Sequence, residues 1–358
     1  EIEEVLADYL ESFTMESNRK PVSDGALANQ TTPMYLVGDP DEAISAVSLG
    51  TRLDLVVAAD CIEDSGIVVD QETVRQMVAA VNAGKHLLLQ GPPGVGKTTI
   101  AEALARAAEQ CDMSRGAVVT TATGDWSSAD TVGTYRLDPL DKDRLVFHPG
   151  LVLEAIDQLK WIVIDELNRA DIDKAIGQLF TVLSGQAVTL PFTSKDDQRI
   201  SIVPPAIDTP SGTKPYSVSS GWRLIATMNE RDRDLLFEMS EALVRRFAVV
   251  SIPTPDDDQW VQILKDRLPG YPELDDWLLR LGTRVEAGSP PVRIGPAIVL
   301  DCCDYLSERI SPAELESPDG RLLMEEALDL FVIPHLSGHT YNANELRDRL
   351  HDNLFFGD

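Results

Sequence analysis

Gly91-Pro92-Pro93-Gly94-Val95-Gly96-Lys97-Thr98 decides how this chain reads. The stretch fits G-x-x-x-x-G-K-[ST], the pattern of a loop that cradles nucleotide phosphates. Its flanks agree: His86-Leu87-Leu88-Leu89-Gln90 is an apolar strand, and Thr99-Ile100-Ala101-Glu102-Ala103-Leu104-Ala105 is an Ala-rich helical run. A strand, a Gly-rich turn and a helix N-terminus together make an anion site. Backbone N–H groups face the phosphates, and the helix dipole adds roughly half a positive charge. Glycine lets the backbone approach closely where a Cβ would clash. Gly91 to Thr98, with Thr99 behind them, are the candidate nucleotide ligands. Lys97 is placed to reach the β- and γ-phosphates, and the Thr98 hydroxyl to hold Mg²⁺.

Upstream, residues 68–84 read as a helix, with Val69, Val74, Met77, Val78 and Val81 on one side and Gly84 as its stop. Residues 1–67 read as an N-terminal extension of unknown type. Within it Ile2, Val5, Leu6, Tyr9, Leu10 and Phe13 recur at helical spacing, while Met34–Val37 and Leu53–Val57 are strand-like. Downstream, to about Pro253, apolar strands alternate with helical segments, the pattern of an α/β parallel sheet with helices on both faces. From 254 to 358 the chain turns helical, over Gln259–Leu268, Leu274–Val285, Pro296–Ile310 and Arg321–Leu336. The expected organisation is an extension at 1–67, an α/β nucleotide-binding domain at 68–253 and a helical lid at 254–358.

Composition bounds the rest. The 358 residues carry 31 Lys+Arg against 59 Asp+Glu, a net charge of −28 spread along the whole chain. An acidic surface repels nucleic acid and anionic membrane. Adaptation to high salt explains the spread better than a basic partner, which a clustered acidic tail would suit. No apolar run reaches the roughly 18 residues that span a bilayer, and the acidic opening is unlike a secretory leader. Cys61, Cys111, Cys302 and Cys303 form no C-x-x-C pair and read as reduced small hydrophobes, which points to the cytoplasm. His335 and His339 are four apart, but with Ser337 and Gly338 between them and no third ligand they read as a helix end rather than a metal site.

Trp161-Ile162-Val163-Ile164 followed by Asp165-Glu166 reads as a buried parallel strand ending in two carboxylates. Asp165 is placed to hold the Mg²⁺ shell and Glu166 to polarise the attacking water; phosphoryl transfer needs positioning and charge more than covalent help. Trp222-Arg223-Leu224-Ile225-Ala226-Thr227-Met228-Asn229 is a further strand ending in an amide, followed by Glu241-Ala242-Leu243-Val244-Arg245-Arg246-Phe247.

Together these pieces resemble a AAA+ ATPase, more narrowly the MoxR/McrB (dynein-related) branch. The resemblance covers roughly 75–340. It rests on Gly91–Thr98, on Asp165-Glu166-Leu167-Asn168-Arg169-Ala170, on Ala226–Asn229 with Arg245-Arg246-Phe247, and on Gly124-Asp125-Trp126-Ser127-Ser128-Ala129-Asp130-Thr131-Val132-Gly133. It implies that Asn229 is the sensor 1 amide, that Arg245 or Arg246 is the arginine finger acting on a neighbouring subunit, and that Arg293 is the sensor 2 arginine. It implies a ring, most simply a hexamer, that uses ATP (or GTP) with Mg²⁺ to remodel a protein partner. That partner is unidentified, a nuclease or a protein of von Willebrand A type being candidates; a McrB-like motor subunit of a DNA restriction nuclease complex and a nucleotide-gated scaffold are the alternatives. Met228-Asn229-Glu230-Arg231-Asp232 departs from the M-N-T-A-D run of McrB-type GTPases, so GTP preference does not carry over directly.

Two insertions interrupt the α/β pattern, around Trp126–Gly150 and from about Ala187 to Gly221. Loops at these places face the pore or a partner in related rings. Lys142, Arg144, Lys195 and Arg199 sit in them. With no basic run elsewhere, any DNA contact is expected only through the assembled ring or a partner.

Overall fold

The computed structural model describes residues 50–138, 143–229, 244–267, 295–309 and 317–336. Helices α1 (Leu55–Glu63) and α2 (Gln71–Asn82) lead into β1 (His86–Gly91) and α3 (Lys97–Gln110). Then come β2 (Ala117–Thr121), α4 (Ser128–Thr131), the hairpin β3 (Gly133–Leu137) and β4 (Leu145–Pro149), α5 (Leu151–Asp157) and β5 (Trp161–Asp165). A tight turn at Leu167–Arg169 precedes α6 (Ile172–Ile176) and α7 (Phe180–Leu183). Strands β6 (Val188–Thr193), β7 (Arg199–Val203), β8 (Thr213–Ser217), β9 (Leu224–Asn229) and β10 (Phe247–Ser251) follow. The remainder is helical: α8 (Asp257–Arg267), α9 (Pro296–Arg309), α10 (Pro318–Ala327), a wide turn at Leu328–Val332, and α11 (Ile333–Leu336). These helices fall where the sequence reads as helical, at Gln259–Leu268, Pro296–Ile310 and Arg321–Leu336. Leu274–Val285, read as a lid helix, lies outside the described residues, as does Met34–Val37.

The central sheet has the order β10-β1-β9-β5-β2, and its neighbours pair in parallel. Period-two alternation assigns each face. Leu87, Leu89, Trp161, Val163, Ile225 and Val250 turn to the side covered by α1, α2 and α3. Leu88, Ile162, Ile164, Leu224, Ala226 and Met228 turn to the other, covered by α5, α6 and α7. Both faces are dry, which is why these strands read as nearly continuous apolar runs.

One expectation fails at Leu53–Val57, which is not a strand. Asp54 accepts hydrogen bonds from the Val56 and Val57 N–H groups and starts α1. Ala58, Cys61 and Ile62 then fall on one buried face and join the core that α3 also lines. Two valines lower helix propensity by only tenths of a kcal/mol each; a cap worth about 1 kcal/mol and burial of a full face outweigh that. All four cysteines are free thiols. Burial pushes the Cys302 thiol up to about 12, consistent with a small core hydrophobe.

His86 opens β1 and is buried between Trp222 and Phe247. Its Nδ1 accepts from the Leu224 N–H at 3.0 Å, so the ring is a fixed neutral acceptor. Burial, with Arg223 and Lys85 nearby, pushes its pKa down to about 3.

The two insertions meet. Strands β3 and β4 form an antiparallel hairpin, and β6, β7 and β8 a small sheet of their own. Phe147 and Phe192 stack at 4.8 Å, and Tyr135 meets Phe192 at 5.6 Å. The Thr193 N–H donates to the Tyr135 hydroxyl at 2.8 Å, and Arg144 donates to the Lys195 carbonyl at 2.7 Å. Lys195 in turn lies 3.6 Å from Asp138. Segments some fifty residues apart in sequence thus make one accessory lobe.

Candidate active site

The phosphate loop joins β1 to α3. Gly96 caps α3 with a left-handed φ of 82°, and no side chain caps the helix. Its positive φ favours glycine there, and a Cβ would also lie 2.6 Å from Ile67 Cδ1, a side-chain end that would have to shift. A helix start without a side-chain cap leaves its first N–H groups to a ligand, and an anion is the natural one. Val95, 5% exposed, joins the core that α3 lines and also borders the cleft. Lys97 is 7% exposed, and its ammonium is held by the carbonyls of Gly91 (3.1 Å) and Pro92 (2.6 Å) and by Asn229 Oδ1 (2.8 Å).

Asp165 ends β5, and its Oδ1 accepts from the Thr98 hydroxyl at 2.5 Å. Glu166 follows in a left-handed conformation, φ 52° and ψ 50°. That turn carries its carboxylate to the Asn229 amide, which donates to Oε1 at 3.1 Å. Sheet order explains the meeting. Strand β9 lies between β1 and β5, so Asn229 at its end stands between the phosphate loop and the acidic pair. One side chain therefore touches both Lys97 and Glu166.

These groups line a cleft of about 380 Å³, within the ~300–1,000 Å³ of small-molecule sites. Its far end is apolar, with Ile67, Val69, Ile252, Pro253, Ile263 and Leu300. The start of α9 closes over the loop: the Ala297 N–H donates to the Gly94 carbonyl at 3.1 Å. A Cβ on Gly295 would lie 2.2 Å from the Pro93 carbonyl oxygen. Arg293 precedes this contact and lies outside the described residues, as do Lys142 and His339.

Arg245 and Arg246 stand before β10 and do not line the cleft of their own chain. They differ from each other. Arg246 Nε donates to the Phe180 carbonyl (3.1 Å) and to Ser184 Oγ (2.9 Å), and the guanidinium lies 5.7 Å from the Phe180 ring centre. Arg245 is exposed. Two contacts escape motif reading. Arg169 ion-pairs with Glu166, a pairing that i,i+3 spacing could have suggested. Thr227 bonds both acidic residues; the sequence places it in the Ala226–Asn229 stretch but assigns it no role. Among the described residues no group of three His, Cys, Asp or Glu side chains is set to hold a metal.

Comparison with known proteins agrees with this geometry. Residues 86–247 match the model of the AAA domain, dynein-related subfamily. The chain is 26% identical over 58% of its length to the type IV methyl-directed restriction enzyme EcoKMcrB subunit of Escherichia coli K12, covering 44% of that protein. It is 25% identical to an uncharacterized protein of Staphylococcus aureus USA300, over 77% of this chain and 96% of the other. A solved structure from Cytophaga hutchinsonii aligns over 84% of this chain and 96% of its own at 14% identity and a TM-score of 0.37. The chain thus spans less than half of the McrB subunit. With the loop, the acidic pair and the Asn229 amide gathered at the ends of β1, β5 and β9, residues 86–247 are a AAA domain of the dynein-related subfamily.

Proposed function

We propose that the protein hydrolyses a nucleoside triphosphate, ATP in the first instance, as one subunit of a ring, most simply a hexamer, that remodels a protein partner. One observation carries the hydrolytic part. An ammonium, two carboxylates and an amide from three neighbouring strand ends meet in one cleft, with Asn229 bonding Lys97 at 2.8 Å and Glu166 at 3.1 Å. The oxygen donors fit Mg²⁺. The Thr98 hydroxyl and Asp165 carboxylate are hard ligands already in contact, and an ion of this kind keeps several waters and few protein ligands. Held by Thr98 and Asp165, Mg²⁺ would supply positive charge to neutralise the phosphates.

The chain's own residues do the rest. Lys97 leaves the Gly91 and Pro92 carbonyls for the β- and γ-phosphates. Glu166 accepts a hydrogen bond from the attacking water and aims its oxygen at the γ-phosphorus. The water oxygen bonds to the γ-phosphorus as its bond to the bridging oxygen breaks, giving nucleoside diphosphate and inorganic phosphate, and the water's proton passes by way of Glu166 to solvent. Asn229, fixed by Glu166 and Lys97, reports the γ-phosphate to both. Arg245 or Arg246 supplies charge to the neighbour's cleft. The exposed position of Arg245 favours it over the part-buried Arg246. A cytoplasmic setting suits the four free thiols. Among the described residues no helix is long and apolar enough to cross a membrane.

The test is Glu166→Gln. It should keep nucleotide affinity and lose turnover; hydrolysis equal to that of the parent would remove Glu166 from the mechanism. A second reading has its own support. Similarity to the EcoKMcrB subunit favours a motor for a DNA-directed nuclease complex, using ATP or GTP. Fluorescence anisotropy on duplex DNA separates the two. Under the first reading the nucleotide-free monomer does not bind; tight binding by that species moves the second reading ahead.

A further inference from the structure

Thr227 lies on β9 two residues before Asn229 and is 1% exposed. The β5–β9 ladder runs from Ile162↔Leu224 to Ile164↔Ala226 and stops. At the next pair, Asp165 and Thr227, the threonine side chain takes over. Its hydroxyl donates to Asp165 Oδ1 at 2.6 Å and accepts from the Glu166 N–H at 3.0 Å. A hydroxyl has one proton to give and lone pairs to receive, so both bonds form at once.

Two consequences follow. Asp165 Oδ1 receives two hydroxyl protons, from Thr98 and Thr227. Its lone pairs are then used, the carboxylate cannot rotate freely, and Oδ2 is the oxygen left for a cation's shell. Glu166, for its part, is a non-glycine residue held left-handed, a conformation disfavoured for L-residues. It persists only where its surroundings over-determine it. The bond from its N–H to Thr227 is one such constraint, and the reach of its side chain to Asn229 is the result.

We infer that Thr227 is a positioning residue that sets the orientation of both carboxylates from one buried hydroxyl. This deepens the hydrolase reading and rests on it. The variant is Thr227→Val, equal in volume and without the hydroxyl; Thr227→Ala is its parallel, and Thr227→Ser restores the hydroxyl. Removing such an outer partner costs ~10–100-fold in metal affinity or activity. The first measurement is binding of a fluorescent triphosphate analogue, titrated with Mg²⁺ and repeated in EDTA. The second is turnover.

In Thr227→Val the Mg²⁺ midpoint should rise at least several-fold and kcat should fall, while affinity in EDTA stays that of the parent. Thr227→Ser should recover most of both. If the valine variant does not fold, the alanine and serine variants must show the same contrast. An unchanged midpoint and kcat in the valine or alanine variant overturns the inference, as does a serine variant no better than valine. Equal loss of affinity with and without Mg²⁺ also overturns it, by marking Thr227 as structural only. A parent with no Mg²⁺-dependent binding overturns the hydrolase reading and this inference with it. A parent that binds and turns over beside unaffected variants overturns only the role of Thr227.

Discussion

The nucleotide cleft and the accessory lobe are built by opposite logics. In the cleft, few side chains do several jobs each: Lys97, Asp165, Glu166, Thr227 and Asn229 form one connected polar network at the ends of three strands. In the lobe, Tyr135, Phe147 and Phe192 pack two insertions together, and polar contacts such as Arg144 to the Lys195 carbonyl are peripheral and exposed. Chemistry limits which residues can stand in the first; many apolar sets of similar volume could hold the second. Substitutions in the cleft should therefore act on nucleotide and turnover, and those in the lobe on stability alone.

Arg245 and Arg246 give the largest expected effect, and they divide along the same line. Arg245→Ala should cost ~10³–10⁵ in turnover, the range of an arginine finger. Arg246→Ala should lower the melting temperature, because it loses the Phe180 carbonyl and Ser184. Mixing Arg245→Ala with Glu166→Gln subunits should restore part of the activity, since some interfaces then pair an intact finger with an intact acid. No recovery in demonstrably mixed rings argues for action within one chain.

Lys97→Ala comes next. If the ammonium contacts phosphate as proposed, affinity should fall with turnover, unlike Glu166→Gln, which should lose ~10²–10⁴ in turnover alone. Equilibrium binding beside steady-state hydrolysis distinguishes them. If Lys97→Ala binds as the parent does, the cleft is not a phosphate site and the contrast collapses.

His86 tests the sheet beneath both regions. Its folded pKa of about 3 lies below the ordinary 6.5, so between these values the unfolded chain holds the extra proton. The contribution of His86 is fully present above pH 6.5 and lost as pH falls toward 3. By linkage that is about 2 kcal/mol between pH 7 and pH 5. Urea midpoints at those two pH values should differ more in the parent than in His86→Asn, whose amide oxygen can still accept from Leu224. Equal differences would deny His86 this role.

Phe192→Ala is the smallest. Phe192 is half-buried, so the loss should be about 1–2 kcal/mol, below that of a full core phenylalanine. Triphosphate affinity should not change. A shift in affinity would show that the lobe is coupled to the cleft.

Much of this was legible in the sequence. The loop at Gly91–Thr98, the carboxylates at Asp165 and Glu166 and the amide at Asn229 each end an apolar run, and their chemistry tolerates few substitutes. The parallel sheet was legible too, because strands dry on both faces leave unbroken apolar stretches. Three things were not. Leu53–Val57 has the composition of a strand and became the start of α1, because a capping aspartate and one buried face outweigh weak propensities. The two arginines at 245 and 246 are identical in sequence terms; only the packing of Phe180 and Ser184 tells them apart. Thr227 carried no signal beyond its place in the Ala226–Asn229 stretch. Its role comes from the order β1-β9-β5, which brings its strand between the loop and the acidic pair. Local pattern is written residue by residue, whereas strand order is settled by how the whole chain buries its apolar faces, and that decided which of these groups touch.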